Sequence, residues 1–218
     1  SNTSSKTSLT IRGATTIGGI VASGPLKEIK AKDSYIVGDL EIAGALEKVG
    51  LAGVSGPSTW SLGGTIDDRG LPLKVTYVRA LSIISDAPIK SASANFWLNT
   101  DSVDDRIDTP EIGKLSIKGD LEASLNITSL VGAKSISVDR WLDNASIRSN
   151  GGIGTIKLGG MRDSEILIGM HGALSGLPDS TSQFSQRSEG IKSMKITGLV
   201  TDGNDSYLNS VVSAWRLG

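Results

Sequence analysis

Cysteine is absent from the 218 residues, and histidine occurs once, as His171. Disulfide frameworks, thiolate metal sites and cysteine nucleophiles are therefore excluded, and no multi-histidine metal site can form. Aromatic residues make up only 4% of the chain, so its core must be built from Ile, Leu, Val and Ala. No apolar run approaches the roughly 18 residues that a membrane-spanning helix needs. Neither sign of charge is in surplus: 22 basic residues face 23 acidic ones, interspersed along the sequence, for a net charge of −1. Nucleic acid is not expected as a main partner on that count, because phosphate binding needs a basic surplus or a basic patch. Ser1 to Thr7 are polar and lack the apolar stretch of a signal peptide.

Glycine is abundant instead, at 27 residues, and serine is more frequent still. Such a composition suits many turns and short strands rather than disorder, because Ile, Leu and Val are plentiful and evenly spread. The spread has a period. One unit runs Ile112, Leu115, Ile117, Gly119, Leu121, Leu125, Ile127. It recurs from Ala133 (Ile136, Val138, Trp141 or Leu142, Ala145, Ile147), from Ile153 (Ile156, Leu158, Met161, Ile166, Ile168), and from Ile191 (Met194, Ile196, Leu199). Weaker copies begin at Leu9, Leu26, Leu46, Leu73 and Ile89, the Leu73 copy taking in Tyr77 and the Ile89 copy Phe96 and Leu98. Units of about 20 residues lie in the solenoid range.

Within each unit the apolar residues alternate, as in Leu115-Ser116-Ile117. Alternation means strands with one buried face. The strands are short, hairpin turn signals are scarce, and no long window has helical periodicity. A coil with one unit per turn satisfies all three facts, its strands pairing in parallel from turn to turn. The expected fold is thus all-β: a single-domain parallel β-helix, or β-solenoid, of roughly eight or nine rungs with loop insertions, a domain at 9–218 behind a polar tail at 1–8. A β-sandwich or jelly roll with coincidental spacing is the alternative.

The stretch Gly151-Gly-Ile-Gly-Thr-Ile-Lys-Leu-Gly-Gly-Met-Arg-Asp-Ser-Glu-Ile-Leu-Ile-Gly169 resembles a Gly/Ile-rich repeat, G-x-I-G-x-I-x-V-G-G-x-(L/M)-x-x-S-x-I, of large exported and cell-surface bacterial proteins. The segments beginning at Ile112 and Ile191 fit the same pattern, and the likeness loosens before residue 112. The resemblance implies a β-solenoid and an extracellular or cell-surface location. It brings no catalytic motif.

Three stretches break the period, Ser55 to Pro72, Asn99 to Glu111 and Gly169 to Gly190, and are expected to leave the coil as loops. The first two leave at a similar phase and are expected on one side, bringing Asp67, Asp68 and the acidic residues of the second together. Asp101, Asp104, Asp105 and Asp108 are the candidate ligand-binding set, either for weak calcium binding or for sugar. Asn99-Thr100-Asp101 followed by Asp104-Asp105 resembles motifs of β-helical pectin hydrolases. In that family, however, the two motifs lie a turn apart, and here the companion R-I-K and G-H-G are missing. In an exposed loop, moreover, successive carboxyls point apart and little burial is on hand to raise a pKa. Asp202-Gly-Asn-Asp205 reads as a turn, His171 as a surface histidine, and Trp60, Trp97, Trp141 and Trp215 as partly buried flanks or a sugar-stacking platform.

No catalytic residue, metal site or cofactor is expected. The expectation is a structural or adhesive segment of a larger exported bacterial protein, monomeric, with a polysaccharide or another surface protein as partner. A carbohydrate-active hydrolase or lyase using the loop carboxylates is the alternative. A groove lined by carboxylates and Arg on consecutive rungs would favour the enzyme. Ladders of Ser and Lys without convergent charges would favour the structural module.

Overall fold

The structure, a computed structural model, describes residues 3–65, 70–170, 177–184, 190–198, 207–214 and 216–217. Alternating apolar residues and glycine corners produce a coil of about eight turns with no α-helix among the described residues. The first turns hold β1 (Ser8–Thr10), β2 (Thr16–Ile17), β3 (Ile20–Ala22), β4 (Leu26–Ile36), β5 (Leu40–Val54) and β6 (Ser58–Gly64). The middle turns hold β7 (Pro72–Arg79), β8 (Leu81–Ser85), β9 (Ile89–Ala94), β10 (Phe96–Leu98), β11 (Arg106–Thr109), β12 (Ile112–Ile117) and β13 (Ser124–Ile127). The last turns hold β14 (Ala133–Asp143), β15 (Ser146–Ser149), β16 (Ile153–Arg162), β17 (Glu165–Ile168), β18 (Ile191–Ile196), β19 (Tyr207–Leu208) and β20 (Val211–Ala214).

Each turn has three arms. Arm one is a parallel ladder in the order β1, β4, β5, β7, β9, β12, β14, β16, β18. A bend then leads to arm two, a shorter continuation of the same ladder through Tyr35, Gly53, Tyr77 and Phe96. Arm three is a second parallel ladder in the order β3, β5, β6, β8, β11, β13, β15, β17, β20.

Like residues stack on like residues along the axis. Ile117 pairs with Ala94 and Val138, Val138 with Leu158, and Leu158 with Ile196, as the repeat requires. A second inward column runs Leu115, Ile136, Ile156, Met194. Arm three adds Ile83, Ile107, Leu125, Ile147, Ile166. Nearly all are at most 1% exposed, in one continuous core.

The corners carry the sharp backbone. Entering arm three, Ala80, Asn144, Asp163 and Asn209 take positive φ of 41–55°, a conformation that Asn and Asp tolerate best. Entering arm one, Gly132 sits at φ 76°, and a Cβ there would meet the carbonyl oxygen of Gly152 at 2.0 Å.

Several expectations need correction. The fourth turn starts at Leu71, which is fully buried, rather than at Leu73, which is in register with Val49 and Ala92. Tyr77 and Phe96 point outward, while Val78 and Trp97 fill the core, because the bend between arms one and two resets the alternation. The stretches at Ser55 to Pro72 and Asn99 to Glu111 are not loops throughout, since each contains an arm-three strand, β6 and β11. Both stretches leave at the corner between arms two and three, after Val54 and Leu98, as expected, with residues 55–57 and 99–105 there. Residues 65–71 lie instead between β6 and β7, and Asp67 and Asp68 within them are outside the described residues.

Candidate functional site

The four candidate aspartates do not share one environment. Asp101 Oδ1 accepts a hydrogen bond from Val103 N at 2.9 Å within its own loop. Asp104 is exposed. Asp105 is 4% exposed, so the expectation of an exposed loop with no burial is wrong at this residue. Its Oδ2 accepts the backbone N–H of Leu81 at 2.8 Å, at the corner formed by Ala80. Asp108 lies on β11 and pairs with Arg106 Nε at 3.1 Å. Among the described residues no three acidic or histidine side chains converge on a point that could hold a metal ion.

Burial pushes the Asp105 carboxyl up to about 6, against the lowering effect of the Leu81 N–H, and neighbouring Asp101 and Glu122 add to the rise. Burial likewise raises Glu122, whose Oε2 accepts Asn99 N at 2.9 Å. These carboxylates cap corners, as others do elsewhere in the coil. Asp39 Oδ1 accepts Thr59 N at 2.7 Å and Asp120 Oδ1 accepts Trp141 N at 3.0 Å, each bond joining neighbouring turns. A carboxylate spent on a backbone N–H inside the coil is withdrawn from any ligand outside it.

The tryptophans are also inside. Trp60, Trp97 and Trp141 are 0%, 2% and 6% exposed. Trp60 Nε1 donates to Ser58 Oγ at 3.1 Å, and Trp97 Nε1 donates to the Leu81 carbonyl at 3.3 Å. A sugar-stacking platform made of these three is ruled out by their burial. Trp215, His171, Asp67, Asp68 and the Asp202–Asp205 turn lie outside the described residues.

The outer face of arm one is the surface that the charge count hides. Twelve of the thirteen lysines lie on arm-one strands or directly after them, and all of these are exposed. One outward column runs Lys30, Gly50, Lys74, then Ser93, Ser116 and Ser137, then Lys157 and Lys195. The column beside it runs Ser91, Lys114, Ser135, Thr155, Ser193. Before the bend these strands carry no arginine; Arg79, Arg140 and Arg162 lie at or beyond it on β7, β14 and β16. Four arginines elsewhere pair with acids: Arg106 with Asp108, Arg140 with Asp120, Arg148 with Glu165 and Arg162 with Asp143. Lys48 to Glu28, at 3.9 Å, is the one lysine ion pair among the described residues. Ion pairing thus falls mostly on arginines off arm one, while the lysines on it, apart from Lys48, are left open among the described residues.

The face is not flat. A depression of about 340 Å³ is lined by Lys30, Lys32, Lys48 and Lys74 around Gly50, with a single acid, Glu28. It meets another of about 330 Å³, through Lys74 and Thr76, that continues along Ser93, Asn95, Ser116 and Lys118. Together they form a trough along the axis. At the far end, where the chain enters arm one, a larger groove of about 660 Å³ is lined by Lys134, Lys192, Arg216 and a single acid, Glu111. Around the bend, the exposed rings of Tyr77 and Phe96 stack with centroids 6.3 Å apart. The Tyr35 ring covers Gly53, and the Phe96 ring covers Gly119, positions where a Cβ would collide.

Sequence reasoning missed this face because it weighed total charge. The signal was nonetheless present: lysine recurs beside the first apolar positions of successive units, as in Leu26-Lys27, Ile89-Lys90, Ala133-Lys134 and Ile191-Lys192. No protein-family model, curated protein or solved structure matches the chain.

Proposed function

We propose that this chain is a structural or adhesive β-solenoid segment of a larger exported bacterial protein, without catalysis of its own. One observation carries the reading. The outer face of arm one is dominated by ladders of Lys and Ser/Thr, and the carboxylates of residues 101–108, instead of converging on a groove, face different ways: Asp101 and Asp105 accept backbone N–H groups, Asp108 pairs with Arg106, and Asp104 is exposed. The likeness of Gly151–Gly169 to repeats of exported bacterial proteins supports the setting.

A general acid must reach the atom it protonates. Asp105 has a raised pKa, as such acids do, yet its carboxylate is turned inward onto Leu81 N. Position therefore counts against the hydrolase reading even where the titration suits it. The test is a panel of pectic and neutral glycans incubated with the chain, with and without calcium. The expected result is no loss of polymer length. Turnover that disappears in the triple variant Asp101→Asn, Asp104→Asn, Asp105→Asn would overturn the proposal in favour of the enzyme.

A further inference from the structure

We infer that the outer face of arm one binds a linear acidic polysaccharide laid along the solenoid axis. The inference rests on the adhesive reading above and names its ligand class.

Three observations carry it. The first is charge. The lysines of this face lack acidic partners among the described residues, apart from Lys48, and Lys157 stands directly opposite Lys195. Like charges in direct register destabilise a sheet. An anionic polymer on the face would remove that repulsion, and no ion pair among the described residues does so for Lys157 or Lys195.

The second is shape. The trough from Lys30 past Lys48 and Lys74 to Lys118 crosses five rungs, about 19 Å at the usual strand spacing. It runs parallel to the axis, so an extended chain meets a new rung at each step. The groove holding Lys134 and Lys192 lies on later rungs of the same arm.

The third is the chemistry between the charges. Ser93, Asn95, Ser116 and Thr76 line the trough beside the lysines. Hydroxyl and amide groups both donate and accept, which suits the hydroxyls of a sugar chain. Ammonium groups are hydrated point charges that suit scattered carboxylates or sulfates, whereas bidentate phosphate recognition favours arginine, which the lining of the trough lacks. Single-stranded nucleic acid would need aromatic platforms among the cations. Here the exposed rings are around the bend, Tyr35 and Phe96 each packed over a glycine of the neighbouring turn. A membrane surface would need large apolar side chains projecting from the same face, and its outward columns are mostly Lys, Ser, Thr and Gly, with Glu28, Glu47 and Pro72 among them.

The experiment measures binding of the whole chain to alginate (carboxylates), heparin (sulfates), dextran (uncharged), a single-stranded DNA oligonucleotide and phosphatidylserine vesicles. Binding to alginate, heparin or both, weakening as salt rises and absent with dextran, is the expected result, and which of the two binds identifies the anionic group. The variant Lys48→Gln, Lys74→Gln, Lys118→Gln loses three exposed charge contacts, and its affinity should fall about tenfold, or ~1.4 kcal/mol. The matched variant Arg79→Gln, Arg106→Gln, Arg140→Gln loses the same charge away from arm one and should stay within about twofold of the parent. No binding to either acidic glycan, tighter binding to DNA or vesicles, or equal loss in both variants would overturn the inference. Glycan length is measured after each incubation. Shortening would instead overturn the non-catalytic reading, whatever the affinities show.

Discussion

Replacing Asp105 with Asn tests the inward-facing carboxylate by pH. The side chain is 4% exposed and titrates at about 6 in the folded chain, against an ordinary value of 3.8. Between those values the folded chain holds a proton that the unfolded chain has released. Stability contributed by this group is therefore greatest below pH 3.8, falls as the pH rises to about 6, and is level above that. Each pH unit in the window is worth about 1.4 kcal/mol, which makes about 3 kcal/mol in all. Asparagine keeps an oxygen for Leu81 N–H and has no charge to desolvate. Its stability relative to the parent should thus improve by about 2.5 kcal/mol between pH 4 and pH 8, whatever fixed cost the substitution carries. Urea unfolding followed by tryptophan fluorescence reads this, because Trp60, Trp97 and Trp141 are buried. Groups that do not face Asp105 titrate equally in both proteins and cancel, and the charges of Asp101 and Glu122, which repel the Asp105 carboxylate, act in the same direction. A parent-to-variant difference that stays constant across the pH range would refute the assignment.

Further outcomes follow from the packing. Ile117→Ala empties a fully stacked core position and should cost about 2–5 kcal/mol, while Ser116→Ala, facing outward, should change stability by less than about 0.5 kcal/mol. Equal effects in a urea titration would contradict the register. Ser149 is 2% exposed between Ile127 and Ile168, and its Oγ has no hydrogen-bond partner. Ser149→Ala should therefore raise stability, by about 1 kcal/mol, measured the same way. Gly132→Ala adds a Cβ against Gly152 O at positive φ and should lower the thermal midpoint by several degrees, with a cost of about 1–3 kcal/mol.

The parts of the fold that were legible in the sequence are those where a residue's fate depends on its place in the repeat. Ile117, Val138, Leu158 and Ile196 stack as their spacing requires because arm one is straight, and alternation survives along it. Tyr77 and Phe96 were misread because a bend precedes them and shifts inside to outside by one residue. Asp105 was misread because its burial depends on the Leu81 corner, 24 residues earlier in the chain. The lysine face was invisible to a net charge of −1, since that sum says nothing of which arm each charge occupies.

The corner caps have a mechanical consequence. The ladders' hydrogen bonds run along the axis, so a pull on the two ends would load them one turn at a time, as in opening a zip. Asp39 to Thr59, Asp120 to Trp141 and Asp105 to Leu81 add side-chain rivets across particular turns. A coil whose turns touch only their neighbours yields at its weakest joint. Under tension this one should therefore peel in steps of about 20 residues and hesitate at the riveted turns, with the Asp105 rivet changing its grip as the pH crosses about 6.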